Sequence, residues 1–421
     1  MHSFPASTAV IPSRRTIGGS NAIGFPEVAA MFALLTIYSS AAYFFFNNGM
    51  SELKPLYFYI VVYVCGAYAY LTSPGAGGSF RRHFTLVGLL ALLVIATSIQ
   101  FLIFDISAAG LDLYIGRIHF FLTLIAFFLL LGSSSRLGTV IDALKWIVVA
   151  SCAINVAEFF YIGPSQGWMS TVPGRAAGFF ENANDSAMFI ALAIPIVAVT
   201  SSSRVRWLFY LVTFVGISVT FSRGGIVCWA TFVAIAEIML GLKRNAWGSR
   251  VFLAAITVVG IVALVSNFSS DFASTVTEML SPYLDANTGA RLSFEDSYST
   301  NERAYVFQRG MQAFFDAPFF GQGIGYTHSW DASGSVHNMI VLMLAELGLV
   351  GGIWFVLFIV SLWVYGRPFG VAIAVVLLVS SLFTHNHLER PALAMAIAIY
   401  ALAAERLRSS HVAQSSPGAT R

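Results

Sequence analysis

Along the chain, apolar residues gather into runs of about 17 to 25 separated by short polar breaks, the run length that about 30 Å of hydrocarbon demands of a helix. Twelve such runs can be drawn, at 24–46, 55–72, 84–104, 118–132, 146–162, 184–200, 207–221, 225–241, 251–267, 346–364, 368–384 and 391–404. The fourth is short, and the tenth has a loosely defined start. One long polar connection, from Phe268 to Val336, separates the ninth run from the tenth. The pattern predicts an all-α polytopic membrane protein of about twelve spans, with one long outer loop containing short helices between spans nine and ten.

Composition agrees with that reading. The 421 residues are 57% hydrophobic and only 10% charged, with a mean hydropathy of +0.77, values that belong to polytopic membrane proteins rather than soluble ones. A net charge of +3 is too small for nucleic-acid binding, so the placement of charge matters more than its sum. Cys65, Cys152 and Cys228 all fall in apolar runs without pairing or metal spacing, which argues against disulfides and zinc. Arg14 and Arg15 precede the first run, but no cleavage-like site follows it, so span one is expected to be a retained anchor.

Basic residues test the count. With the N-terminus inside, 15 of the 23 lysines and arginines fall on the cytoplasmic side. The other eight are Lys54, Arg117, Arg175, Arg223, Arg291, Arg303, Arg309 and Arg390, and the alternation holds at every short loop. The expected domains are a disordered cytoplasmic N-terminus (1–20), spans one to nine (21–267), the outer loop and an interfacial helix carrying the site (268–345), spans ten to twelve (346–405), and a cytoplasmic tail (406–421). Both termini are expected inside.

Candidate chemistry concentrates between Asn301 and Gly352. Ser299-Thr300-Asn301-Glu302 has capping-box spacing, so a helix starting there must end before Pro318. Arg303 shares a helical stripe with Phe307, Gly310 and Phe314, read as the apolar face, and Arg309 lies off it. A guanidinium on an inward face needs an anionic partner, either substrate or a loop carboxylate such as Glu295 or Asp296. Ser335 is a candidate cap for the next helix, placing His337 and Asn338 in its first turn, where the helix dipole favours a neutral imidazole able to act as a base. The GQGIG sequence at 321–325 either turns the chain or cradles phosphate, and the turn is favoured. A straight helix from His337 to Gly366 would measure roughly 45 Å, so its first part is expected at the interface, with Gly348, Gly351 and Gly352 permitting a bend near Glu346.

Two more polar stretches sit at predicted helix ends. GRAAGFFENANDSA carries Arg175, Glu181, Asn182 and Asn184 between spans five and six, and FSRGG places Arg223 between spans seven and eight. Arginines beside hydrocarbon either snorkel or bind anions, and Arg175, Arg223 and Arg303 on one face would suit a diphosphate. His385-Asn386-His387 has a spacing a metal can use, but only Glu389 is near in sequence as a further ligand, and no metal or other cofactor is expected.

With these residues in view, the chain resembles the O-antigen ligase and polymerase superfamily of bacterial envelope glycan assembly. The resemblance rests on GRAAGFFENAND at 174–185, FSRGG at 221–225 and NERAYVFQRGMQAFFDAPFFGQGIGY followed by HNMIVLMLAELGLVGG, and covers roughly residues 120–365. It implies an inverting, metal-independent glycosyltransferase of the inner membrane that works on the periplasmic face. The implied donor is an undecaprenyl-diphosphate-linked glycan and the acceptor a glycan or lipid A core, in the company of other envelope polysaccharide assembly proteins. Carried onto this sequence, Arg175, Arg223 and Arg303 would hold the diphosphate and His337 would assist the acceptor hydroxyl, with Asn338, Asn184 and Arg309 in secondary roles. Glu181 departs from the pattern, standing where many relatives have a neutral residue; it either repels the donor or serves as the base. The resemblance does not separate ligase from polymerase. The modest outer loop makes protein acceptors the least favoured, and its few basic residues lean the reading toward a polymerase.

The rival class is a secondary transporter or polysaccharide exporter, which twelve spans with both ends inside would also fit. Such proteins show paired halves and charges near the midplane, and neither is clear here. Topology can be tested directly: a cysteine label at Asp285 should react from the periplasm, and labels at Arg81 and Arg244 only from the cytoplasm. Cytoplasmic labelling at Asp285 would overturn the topology and the site with it.

Overall fold

The computed structural model describes residues 23–73, 76–104, 107–132, 134, 137–162, 175–239, 305–330, 336, 338–365, 369–382, 384 and 387–415. Among them there is no β-strand. The first helices are α1 (Phe25–Ala33), continued by a π turn over Leu34–Tyr38, and α2 (Ala41–Asn47), followed by α3 (Pro55–Thr72), α4 (Ala76–Arg82), α5 (Phe84–Ile103) and α6 (Ala108–Gly132). Next come α7 (Leu137–Ala157) with a π turn over Glu158–Ile162, α8 (Ala183–Leu192), α9 (Ile194–Thr200), α10 (Ser203–Ser218) and α11 (Arg223–Met239). A helix over 305–316, α12, precedes α13 (Met339–Tyr365), α14 (Phe369–Ser380) and α15 (Pro391–Ser415).

Among the described residues six helical segments, α8 and α9 counted together, are long and apolar enough to cross a membrane, and a seventh span is obtained if α1 and α2, bent by 49° at Ser39–Ser40, count as one. Helices also lie over the expected segments at 207–221, 225–241, 368–384 and 391–404, but they are shorter or less apolar. The segment at 251–267, the acidic loop residues Glu295 and Asp296, and both expected disordered termini lie outside or partly outside the described residues. Span four was expected to be short with Arg117 in an outer loop. Instead α6 begins at Ala108 and carries Arg117 inside it at 1% exposure, because partners from two other helices neutralise the charge.

At the centre stands α15, whose residues Leu393 to Ala404 are all buried, the signature of a helix surrounded by protein. Around it pack α6, α14, α8 and the first π turn. In lipid, apolar helices gain little from burying apolar surface, so close approach of small residues carries the packing. Gly66 of α3 meets Ala126 of α6, Gly216 of α10 meets Cys152 of α7, and Gly225 of α11 meets Ala187 of α8. The outward faces of α3 and α5 remain apolar and exposed, as at Leu71 and Leu102, which suits contact with acyl chains.

Where helices break, side chains satisfy the freed backbone, as they must in hydrocarbon. Pro195 ends α8, and the carbonyls of Phe189 and Leu192 accept from the hydroxyls of Tyr38 (3.2 Å) and Tyr400 (2.7 Å). The largest break is in α13, where Gly348 takes φ 64° and ψ −151°. The turn after α12 runs beside this break and exchanges backbone hydrogen bonds with it: Leu349 N to Pro318 O (2.8 Å), Gln322 N to Ala345 O (2.9 Å) and Gly323 N to Glu346 O (3.1 Å). A bend near Glu346 was expected, and the GQGIG turn proves to be its counterpart. A Cβ on Gly348 would stand 2.5 Å from the Phe319 carbonyl carbon, and one on Gly321 would overlap the Glu346 backbone.

Two glycine substitutions should therefore act in opposite directions. Gly348→Ala adds a left-handed side chain and a backbone overlap, and should sharply lower the melting temperature in detergent. Gly88→Ala, in open space on α5, should be neutral or stabilising by about 1 kcal/mol. Equal melting temperatures for the two variants would refute this account of the break.

Candidate active site

The loop before α8 is built on side chains from beneath. Glu158 is buried in the second π turn, and its Oε2 accepts from the backbone N–H groups of Ala177 (2.9 Å) and Gly178 (2.6 Å). Gly178 has φ 61° and lies against Asn155 Oδ1, so no side chain fits there. Asn155 is held in turn, its Nδ2 donating to Ser186 Oγ (2.9 Å) and the Gly216 carbonyl (3.2 Å). Asn182 caps α8 by accepting from Asn184 N (2.8 Å).

This fixed loop delivers Arg175 to the end of α10. Its Nε donates to the Thr220 carbonyl (2.9 Å) and its Nη2 to Asn184 Oδ1 (2.9 Å). The same Asn184 oxygen accepts from Ser222 Oγ (2.7 Å), and Ser222 caps α11 by accepting from Gly225 N (3.0 Å). Asn184 thus ties two sequence motifs 38 residues apart into one unit. Phe221, between Thr220 and Ser222, is a non-glycine residue at φ 48°, a conformation that costs about 1–3 kcal/mol and concentrates at functional sites. Two residues on, Arg223 opens the first turn of α11, where backbone N–H groups and the helix dipole already favour an anion.

The other expected residues are distributed as follows. Glu181 is exposed, accepts from Asn47 Nδ2 (2.8 Å), and lines a cavity that Asn184 also lines. Arg303 and His337 lie outside the described residues, as does His385. Helix α12 ends at residue 316, ahead of Pro318 as expected, but its buried face is Val306, Gly310 and Ala313 rather than the Phe307, Gly310 and Phe314 stripe. Phe307 is 46% exposed. The face rotates because Gly310 sits against Val341 of α13, and Ala313 shares a cluster with Trp330 and Ala345. Arg309 is exposed to one side and stacks over the Trp330 ring at 4.5 Å, a use that explains it without substrate.

The cap of α13 also differs from expectation. Asn338, not Ser335, holds it: Asn338 Oδ1 accepts from Ile340 N (3.0 Å) and Val341 N (3.1 Å), and the helix begins at Met339. Asparagine caps as well as serine does, and here it stands nearer the first buried turn. Met339 N donates to the Ser381 carbonyl (2.8 Å), so the start of α13 is anchored to the end of α14.

The sequence reading missed a buried charge network behind these elements. Arg117 Nε contacts Glu389 Oε1 at 3.1 Å, and its Nη2 lies 3.7 Å from Glu346 Oε2. Glu346, fully buried, accepts from Thr327 Oγ1 (2.9 Å) and lies 3.7 Å from His328 Nδ1. Gln100 Nε2 donates to the carbonyls of Phe320 and Glu346, both at 2.8 Å. A charged residue in each of two apolar runs was the one available signal, since such charges must meet something. His387, nearby, bonds Ser380 Oγ through Nε2 (2.8 Å), and burial pushes its pKa down to about 4, so the ring stays neutral. Among the described residues no group of three or more His, Cys, Asp or Glu has a metal-binding arrangement.

Residues 208–356 match the O-antigen ligase family model (Wzy_C), which supports the resemblance to the ligase and polymerase superfamily. Arg223, Arg303, Arg309 and His337 fall inside the match, and Arg175, Glu181 and Asn184 fall before it. No curated protein matches the chain.

The network yields a stability test. Arg117→Ala would leave Glu346 and Glu389 buried against each other, a loss of about 3–5 kcal/mol. The protein should then fail to elute as a monodisperse peak in detergent. Arg117→Ala combined with Glu346→Gln should recover part of the yield, and no recovery would argue against the pairing.

Proposed function

We propose that the protein transfers a glycan from an undecaprenyl-diphosphate carrier to an acceptor sugar during assembly of an envelope polysaccharide. The observation that supports this most is the Arg175–Asn184–Ser222 unit, which sets one guanidinium beside a helix N-terminus that itself begins with Arg223. Guanidinium groups bind phosphate oxygens through paired N–H donors and remain charged at all relevant pH values. Arg303, close in sequence to α12, is assigned as the third.

In this reading the acceptor hydroxyl attacks the anomeric carbon of the donor, on the face opposite the leaving group. The new C–O bond forms as the bond from that carbon to the diphosphate oxygen breaks, and the electron pair leaves with the diphosphate. The hydroxyl proton passes to His337, with Glu181 as the other candidate base. Diphosphate is already a good leaving group, so positioning and charge stabilisation carry most of the catalysis, and no metal is needed. The site faces the periplasm, and both chain termini face the cytoplasm. Between the two superfamily activities we favour a polymerase, whose acceptor is another lipid-linked repeat unit, over a ligase acting on lipid A core.

Purified protein with lipid-linked donor tests the assignment. Arg303→Lys, which keeps charge but loses the planar fork, and His337→Ala should each lower turnover at least 100-fold without changing expression, whereas Arg309→Ala should stay within about threefold of wild type. Near-normal turnover in both of the first two variants means the site is wrongly assigned. Gene deletion separates the activities: single repeat units left on carrier or core indicate a polymerase, and long chains stranded on the carrier indicate a ligase.

A further inference from the structure

Beside the arginine unit, at the same helix ends, lies a cavity of about 210 Å³. Its walls combine aromatic rings with carboxylates: Tyr43 and Tyr59 from α2 and α3, Glu181 and Asp185 from either side of the start of α8, and Glu389 and Arg390 from the turn before α15. Taking roughly 30 Å³ per water, the space holds at least about seven waters, enough for one pyranose ring.

The polar groups here are arranged as acceptors. Arg390 is ion-paired with Asp185, and Arg117 reaches Glu389 from behind, so the guanidinium charge is already engaged by protein. Glu389 is nine-tenths buried, and among the described residues its Oε2, closed off from solvent, has no hydrogen-bond donor. An ionised carboxylate accepts only, and the Tyr43 and Tyr59 hydroxyls, 3.4 Å apart, can donate or accept. Three carboxylates line the walls against the guanidinium groups of Arg390 and, behind Glu389, Arg117, a balance that favours hydroxyl groups over phosphate and uronate.

We propose that this cavity is the subsite for the terminal, uncharged pyranose of the acceptor glycan. The assignment rests on the transferase reading for its role. Asn184 is a wall of the cavity and also the partner of Arg175, so a sugar lodged there lies one side chain away from the diphosphate arginine. The donor sugar carries its diphosphate and must face the arginines, so the acidic compartment is left to the partner that brings only hydroxyls.

Binding can be measured without turnover. Purified protein in nanodiscs is titrated with methyl glycosides of neutral hexoses and of glucuronic acid, observed by saturation-transfer NMR, and acceptor and donor KM are measured in parallel. Neutral glycosides should bind and glucuronide should bind at least tenfold more weakly. Met188→Trp, which fills the cavity from α8, and the near-isosteric Tyr59→Phe should each weaken binding and raise acceptor KM about tenfold while donor KM holds. Arg175→Ala should bind the glycosides as wild type does, and inorganic diphosphate should not displace them. The proposal is overturned if no glycoside binds at tens of millimolar, if glucuronide binds as well as the neutral sugars, if Met188→Trp and Tyr59→Phe leave binding unchanged, or if diphosphate competes. Sugar binding that persists in a protein shown to have no transfer activity would sink the transferase reading and leave the cavity assignment standing.

Discussion

The pairing of Arg117 with Glu346 and Glu389 is the constraint on which the rest of this bundle depends. It joins α6 to the broken helix α13 and the turn before α15, both more than 200 residues away in the chain. Two carboxylates around one guanidinium in a low-dielectric interior tolerate little displacement, because losing the guanidinium leaves two buried carboxylates without compensation. That rigidity fixes where α13 breaks. Glu346 takes the Thr327 hydroxyl with its side chain and the Gln100 amide and Gly323 N–H with its carbonyl, so the loop after α12 is seated on the charge network itself.

From there the site follows by a second set of substitutions of side chain for backbone. Irregular loops are admissible at a membrane edge only where their amides and carbonyls find partners within the protein. Glu158 supplies them for the Arg175 loop, Ser222 and Asn338 for the starts of α11 and α13. These capping groups are not generic, since each also orders a neighbour. Ser222 both caps α11 and donates to the oxygen that orients Arg175, so weakening the cap would loosen the guanidinium.

Much of the helical layout was legible because run length and polarity are local properties. The starts of α3, α5 and α8 fall within a residue of the expected positions, and the bend near Glu346 followed from helix length alone. Grouping Arg175 with the FSRGG stretch was legible too, since both flank short helix connections. What escaped were the facts set by distant partners. Arg117 looked like a loop residue because its two carboxylates lie 229 and 272 positions away. The inward face of α12 was misjudged for the same reason: aromatic residues suggested Phe307, whereas the helix approaches α13 through Gly310. The central position of α15, with alanines and isoleucines buried on every side, has no counterpart in periodicity, because a helix buried all round has no stripe to read.

Charge is sorted across this end of the bundle in a way that bears on chemistry. Asn184 stands on the boundary: on one side is a guanidinium at a helix N-terminus, on the other a compartment walled by Glu181, Asp185 and Glu389. An asparagine suits that boundary, being neutral, too short to reach far into either side, and able to accept from Arg175 and Ser222 through one oxygen. Aspartate there would partly neutralise the arginine and weaken its hold on an anion, and a lysine would extend positive charge into the acidic compartment. In the proposed transfer, opposite fields on the two sides of Asn184 would suit an anionic leaving group and a neutral nucleophile: the field that stabilises the departing charge must not reach the hydroxyl, whose proton departs more readily beside carboxylates than beside guanidinium.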